Sequence, residues 1–202
     1  MKLYSNRFAP SPRRVRMYAA EKGIALGIIE VDIAAGAAHS PEYLSVNPLG
    51  ELPTLELADG TRLVESLAIC RWLEEMNPEP PLFGRDARER ATINGWVDRL
   101  MFHLYVPLVN VFRHTHAYWS TRTLQVPAWG EIEKRAVLGE FAALEAALAD
   151  AEFLATGTLS MADIVAFTSI DFGKPSNLRV GDAHPNLKRW YSSINARPSA
   201  RA

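Results

Sequence analysis

The sequence predicts an α/β domain built around one small sheet, followed by an all-α domain. Three observations carry this. Over residues 1–77 the hydrophobic pattern switches between strand-like and helical every few positions. Residues 78–85, PEPPLFGR, form a proline-rich linker, and strand signals stop after it. From Asp86 onward, apolar residues recur at helical spacing. The expected division is therefore 1–77, a linker at 78–85, and an all-helical 86–202.

The elements follow in order. Lys2 to Ser5 reads as a short strand that meets Pro10 and Pro12. A helix is expected from Pro12 to about Lys22, with Ser11 as its N-cap, Val15, Tyr18 and Ala19 on one face and Gly23 as the stop. Gly27 to Ile33, rich in β-branched residues, is a second strand, and Ser40 to Val46 a short helical turn closed by Asn47-Pro48. Thr54–Leu57 and Thr61–Val64 flank Ala-Asp-Gly, a strong hairpin signal, after which Ser66 is expected to cap a helix that Pro78 stops. In the second half one long helix is expected over 86–118, kinked where Pro107 removes the bond to the His103 carbonyl. Pro127 to Asp150 and Pro185 to Ala196 read as further helices. Between them Ser160-Met-Ala-Asp163 is a capping box, with Leu159 and Ile164 placed as its hydrophobic staple.

Composition excludes several classes of function. A net charge of −1, with acidic and basic residues interspersed, argues against a nucleic-acid or anionic-membrane surface. Arg13, Arg14 and Arg16 are a local exception. One cysteine, Cys70, rules out an intrachain disulfide, a Cys-x-x-Cys redox pair and a Cys-rich zinc site. His114 and His116 are two apart, which on a helix points them in different directions rather than at one metal. No apolar run is long enough to span a membrane and the N-terminus lacks a signal-peptide core, so a reducing, cytoplasmic setting is expected.

Three segments carry chemistry when taken together. Leu52-Pro53 begins the hairpin, where a cis bond would present the backbone groups of Leu52 to a ligand. Glu65-Ser66 opens the next helix, where a carboxylate can dock on the helix dipole and Glu65 can accept from an ammonium. Ala9-Pro10-Ser11-Pro12-Arg13-Arg14 opens the first helix, where an N-terminus and nearby cations lower a thiol pKa. Each alone is a weak signal, for which a strand start, a helix cap or a solvated arginine face is the ordinary explanation.

The combination NPLG, LPTLEL and LVES, continued by SMAD and PNLKRWYSSINARPS, resembles the cytosolic glutathione transferases over essentially the whole chain. The resemblance implies a thioredoxin-like first domain that binds glutathione and a helical second domain that shapes a hydrophobic substrate site. It implies that Leu52, before Pro53, binds the cysteinyl backbone, that Glu65 and Ser66 hold the γ-glutamyl end, and that His39 reaches the glycyl carboxylate. It further implies a detoxifying transferase working without metal, on glutathione and a small hydrophobic electrophile, as a homodimer.

One position departs from the pattern. Where serine- and cysteine-type members carry the thiol-contacting residue, this chain has Ala9. FAPSPRRVRMYAAEKGI, FRHTH, VPAWGE and DFGKP are most similar to a bacterial and fungal subclass lacking the usual catalytic Ser, Tyr or Cys. For that subclass the resemblance implies activation by the helix N-terminus and by a water held in the helical domain. Ser11, His114 and Ser120 are the residues nominated, with Tyr4 as the tyrosine-type alternative and otherwise a packing residue. The rival functions are a glutathione-dependent peroxidase or disulfide reductase, and a binding protein of this fold without catalysis, which Ala9 favours. Cys70, among Ile69, Trp72 and Leu73, reads as a buried inert thiol.

Overall fold

The computed structural model describes all 202 residues. The chain divides into two compact units, Met1–Pro81 with the terminal Pro198–Ala202, and Leu82–Arg197.

The first unit runs β1 (Lys2–Ser5), α1 (Pro10–Glu21), β2 (Gly27–Glu30), α2 (Pro41–Leu44), β3 (Thr54–Glu56), β4 (Arg62–Val64) and α3 (Ser66–Met76). The sheet order is β2-β1-β3-β4, with β1 parallel to β2 and antiparallel to β3. Alternation along β1 and β3 sends side chains to two faces. Leu3 and Leu55, directly paired, belong to a core in which Val15 and Tyr18 of α1 and Ile69 and Leu73 of α3 are fully buried. Tyr4 points the other way, into a cluster with Val31, Ala38, Tyr43 and Leu52.

Two boundaries differ from expectation for local reasons. β2 stops at Glu30 rather than Ile33, because the Asp32 carboxylate takes the amides of Ala34 and Ala35 and turns the chain. α1 begins at Pro10, with Ala9 in the cap position, so Ser11 is the second helical residue and not the N-cap. Proline's fixed φ and missing N–H suit both Pro10 and Pro12 to a first turn. At the other end of α1 the buried Lys22 ammonium donates to the carbonyls of Asn77 (2.6 Å) and Pro80 (2.7 Å) and pairs with Glu74. The Tyr18 hydroxyl also donates to Glu74; burial and then that carboxylate push its pKa up.

The second unit is helical: α4 (Ala87–Leu100), α5 (Val106–Thr115), α6 (Pro127–Ala147), α7 (Met161–Phe172) and α8 (Pro185–Asn195). The long helix expected over 86–118 is interrupted more strongly than a simple kink. Between α4 and α5, Met101–Tyr105 form a π turn in which the Val106 amide reaches the Met101 carbonyl, five residues back. Pro107, lacking an N–H, removes the next α-helical bond, and the chain resumes with one residue extra in the turn.

α7 is the core of this unit. Every residue from Met161 to Ile170 is buried, as expected for a helix without a polar face. The capping box is formed, with Ser160 at the cap and Asp163 at the third helical position, and Leu159 and Ile164 beside it are both buried. Asp163 does more than close the box. Its Oδ1 accepts from the Leu154 amide (3.0 Å) and the Trp190 indole (2.9 Å), and its Oδ2 from the Ser160 amide (3.0 Å) and hydroxyl (2.9 Å). Burial pushes the Asp163 carboxyl up, and these bonds pull against it. Asp163→Ala leaves those donors buried without an acceptor, and we expect it to cost about 3 kcal/mol or more, read as a lower urea midpoint with unchanged slope.

Candidate functional site

The strand register gathers the chemistry-bearing segments of the first unit at one end of the sheet. Thr54 pairs with Tyr4 on one side and Val64 on the other. The next residues outward are Ser5, Pro53 and Glu65, so the exit of β1 toward α1, the start of β3 and the end of β4 are neighbours. Leu52–Pro53 is cis, and Leu52 lies outside the ladder with neither its amide nor its carbonyl hydrogen-bonded within the protein. Beside it, the Glu51 carbonyl accepts from the Tyr43 hydroxyl (2.6 Å) and the Asn47 amide (2.8 Å). Both donors also contact the buried Thr54 hydroxyl, at 3.1 and 3.3 Å. The segment presenting Leu52 is thus anchored to β3 by side chains.

Glu65 stands at the N-cap position of α3 with φ 65° and ψ 115°, a left-sided conformation that costs a non-glycine residue on the order of 1–3 kcal/mol. Its exposed carboxylate makes no capping bond. Ser66 is therefore not the cap that the sequence suggested. It is the first helical residue, buried, and its hydroxyl oxygen accepts from the Arg14 guanidinium at 2.8 Å. Arg14 is completely buried on the α1 face that carries Val15 and Tyr18. That bond takes a lone pair of Ser66 and leaves its hydroxyl proton to donate to an anion.

Two more of the nominated residues of this unit lie nearby. Ser11 is half-buried in the first turn of α1, and with prolines on either side it is the only one of the first three helical residues with an N–H. His39 ends a 3-10 turn at Ala37–His39 and is exposed, its ring against Gly50. Tyr4 does not join them. Its hydroxyl donates to Glu56 (3.4 Å), at the opposite end of β3 from Pro53, and its ring packs 5.8 Å from that of Tyr43. Cys70 is fully buried, and burial pushes its thiol well above the ordinary range, outweighing the nearby Arg14 and Arg71.

In the second unit the His114 Nδ1 accepts the Val126 amide at 3.1 Å, which in the neutral ring places the proton on Nε2 as a donor. Ser120 spends its hydroxyl proton on the Ala117 carbonyl (2.8 Å), leaving its oxygen as an acceptor. No hydrogen bond joins the two. Gln125, which the sequence did not single out, donates to the carbonyls of Arg113 and His116 on either side of His114, both at 2.9 Å. Phe112 is the hub of an aromatic group containing His116, Tyr118, Trp119 and Phe172. No group of three or more His, Cys, Asp or Glu is placed to hold a metal ion, and no helix is long and apolar enough to cross a membrane.

Residues 8–76 match the family model for the glutathione S-transferase N-terminal domain, and residues 128–198 that for the C-terminal domain. The chain belongs to the glutathione S-transferase family. A solved glutathione S-transferase of class Gtt2 from Vibrio parahaemolyticus is 31% identical, with 100% of this chain and 96% of that one covered and a TM-score of 0.87. Gtt2 of Saccharomyces cerevisiae is 27% identical over 100% of this chain and 99% of its own, with a TM-score of 0.92. An elongation factor 1-gamma from Prunus avium is 30% identical over 161 residues, which are 79% of this chain and 37% of that protein. The two solved structures share the sequence-inferred architecture along their whole length.

Within this glutathione S-transferase fold the anchoring of Glu51 is testable on its own. Tyr43→Phe removes one of two donors to a carbonyl that Asn47 still serves. It should cost about 1 kcal/mol of unfolding free energy, measured by chemical denaturation.

Proposed function

We propose that the protein binds glutathione at the β1–β3–β4 end of the first unit, ionises its thiol and transfers the thiolate to a hydrophobic electrophile. Family membership supports the class of enzyme. The observation that carries the site is Ser66, at the mouth of α3, backed by a buried guanidinium 2.8 Å behind its hydroxyl. That arrangement suits a carboxylate: helix amides and the hydroxyl proton donate, and Arg14 supplies positive charge that no solvent screens. Glu65 faces the ammonium of the same γ-glutamyl group. The unpaired amide and carbonyl of Leu52 take the cysteinyl backbone, and His39 the glycyl carboxylate.

The chemistry is nucleophilic. The thiol loses its proton to solvent, the sulfur attacks the electrophilic carbon, a C–S bond forms, and a leaving group departs with its electron pair where there is one. Ala9 offers no donor to the sulfur. We assign that task to the N-terminus of α1, where Ser11 supplies the amide that Pro10 and Pro12 lack. Within the second unit, His114, donating from Nε2, and Ser120, accepting, are the residues we assign to holding an ordered water.

A second reading has support of its own. Ala9, and the likeness to a protein named as an elongation factor rather than a transferase, favour a binding protein of this fold without catalysis. Retention on glutathione-agarose, followed by conjugation to a model aryl halide, separates the two. The same preparation given hydroperoxides distinguishes conjugation from peroxidase or disulfide-reductase use of the thiolate. We also propose a symmetric homodimer; sedimentation at micromolar concentration should give about twice the 22.4 kDa chain mass, and a monomer counts against it.

Ser66→Ala removes a charge-assisted bond and should weaken glutathione binding about tenfold or more in titration calorimetry. Bound thiolate, followed by its ultraviolet absorbance against pH, should persist in Tyr4→Phe, because that hydroxyl is held at Glu56. Ser11→Ala should lower turnover without abolishing ionisation, since the amide and helix dipole remain. Complete loss of ionisation in Tyr4→Phe alone would overturn this assignment.

A further inference from the structure

Gly50 lies between α2 and β3, just ahead of Leu52-Pro53. It sits in the turn Asn47–Gly50 with φ 66°, and its amide donates to the Asn47 carbonyl at 2.9 Å. A Cβ built on it would lie 2.5 Å from His39 Nδ1, 2.8 Å from His39 Cε1 and 2.9 Å from the Ala38 carbonyl oxygen. The flat face of this glycine is therefore the surface on which the imidazole rests. The surface is a firm one. Asn47, nearly fully buried, caps the turn by accepting the Leu49 amide (3.1 Å) while its own amide reaches Glu51 and Thr54. His39 is itself an exposed residue, and the turn at Gly50 is the surface its ring meets.

We propose that Gly50 is a positioning residue for His39, and that the pair sets the preference of the site for a thiol peptide ending in a carboxylate beyond its cysteine. This rests on the assignment of His39 to the glycyl carboxylate. With Nδ1 and Cε1 laid against the turn, Nε2 is the nitrogen left to face a ligand. A freely rotating imidazole would lose side-chain freedom on each binding event; a ring already seated loses less. Any side chain at position 50 occupies the seat and drives the ring off it. The same turn leads through Glu51 to Leu52, so the distance between the cysteinyl and glycyl contacts is set by one short, side-chain-anchored segment.

The test compares calorimetric affinities of the full-length protein for glutathione and for γ-glutamylcysteine, which lacks the glycine. Wild type should prefer glutathione, and His39→Ala should weaken glutathione binding about tenfold while leaving the dipeptide unchanged. Gly50→Asn is the informative partner: asparagine tolerates positive φ, and its Cβ displaces the ring while the Ala38 carbonyl, 2.9 Å away, must shift slightly as well. It should reproduce the His39→Ala pattern, and the double variant should be no worse than either single one. If His39→Ala erases the preference and Gly50→Asn retains it, the positioning role is overturned and the glycyl assignment stands. If His39→Ala leaves the preference intact, both fall. Equal weakening of the two ligands by Gly50→Asn, or its failure to fold, also overturns the inference, since the glycine would then serve the turn alone.

Discussion

A single buried hydrogen bond, from the Arg14 guanidinium to the Ser66 hydroxyl, ties the start of α1 to the start of α3. Arg14 is fully buried, a costly place for an ionised guanidinium. The consequence is a cation beneath a helix mouth at which the backbone already concentrates positive potential. Glu65 then stands in front of that mouth in a strained conformation, kept there by the hairpin on one side and by α3 on the other. The two groups proposed to receive a carboxylate and an ammonium are neighbours because strand β4 ends where helix α3 begins.

The other half of the site is organised from β3. Thr54, the end residue of the paired register, is touched by Tyr43 and Asn47, and both reach on to the Glu51 carbonyl. The loop before Leu52 is therefore irregular in backbone but fixed by side chains. Such a segment can offer unpaired backbone groups to a peptide without itself collapsing onto the sheet, which would satisfy those groups internally.

The alternation of periodicity, the linker and the capping box make the element order legible in the sequence, and the LPTLEL and LVES segments converge at the end of the sheet where the site is proposed. What stayed hidden depends on the third dimension. Ser66 looked like a cap because serine before an apolar run is a cap signal; the hairpin geometry puts Glu65 there instead. Ser11 was displaced from its expected cap for a simpler reason, that Pro10 starts a helix as readily as Pro12. The run Arg13-Arg14-Arg16 admits both a thiol-facing cation and a solvated face, and neither reading puts Arg14 in the core, although its four-residue spacing from Tyr18 places it on the buried side. Tyr43, Asn47 and Gly50 gave no signal, because each acts through a contact made by folding a loop back on itself.

The π turn at Met101–Tyr105 has a bearing on the helical unit beyond the bend it makes. One additional residue in a helix advances the angular phase of everything downstream by about 100°. α4 and α5 are thus two screws cut from one rod and rejoined out of step. An apolar stripe that continued straight through would have kept α5 facing as α4 does. The offset lets the two halves of one continuous rod address different neighbours. It also means that His114 owes its bearing to an insertion about three turns upstream, so that a deletion there would re-aim the imidazole without touching it.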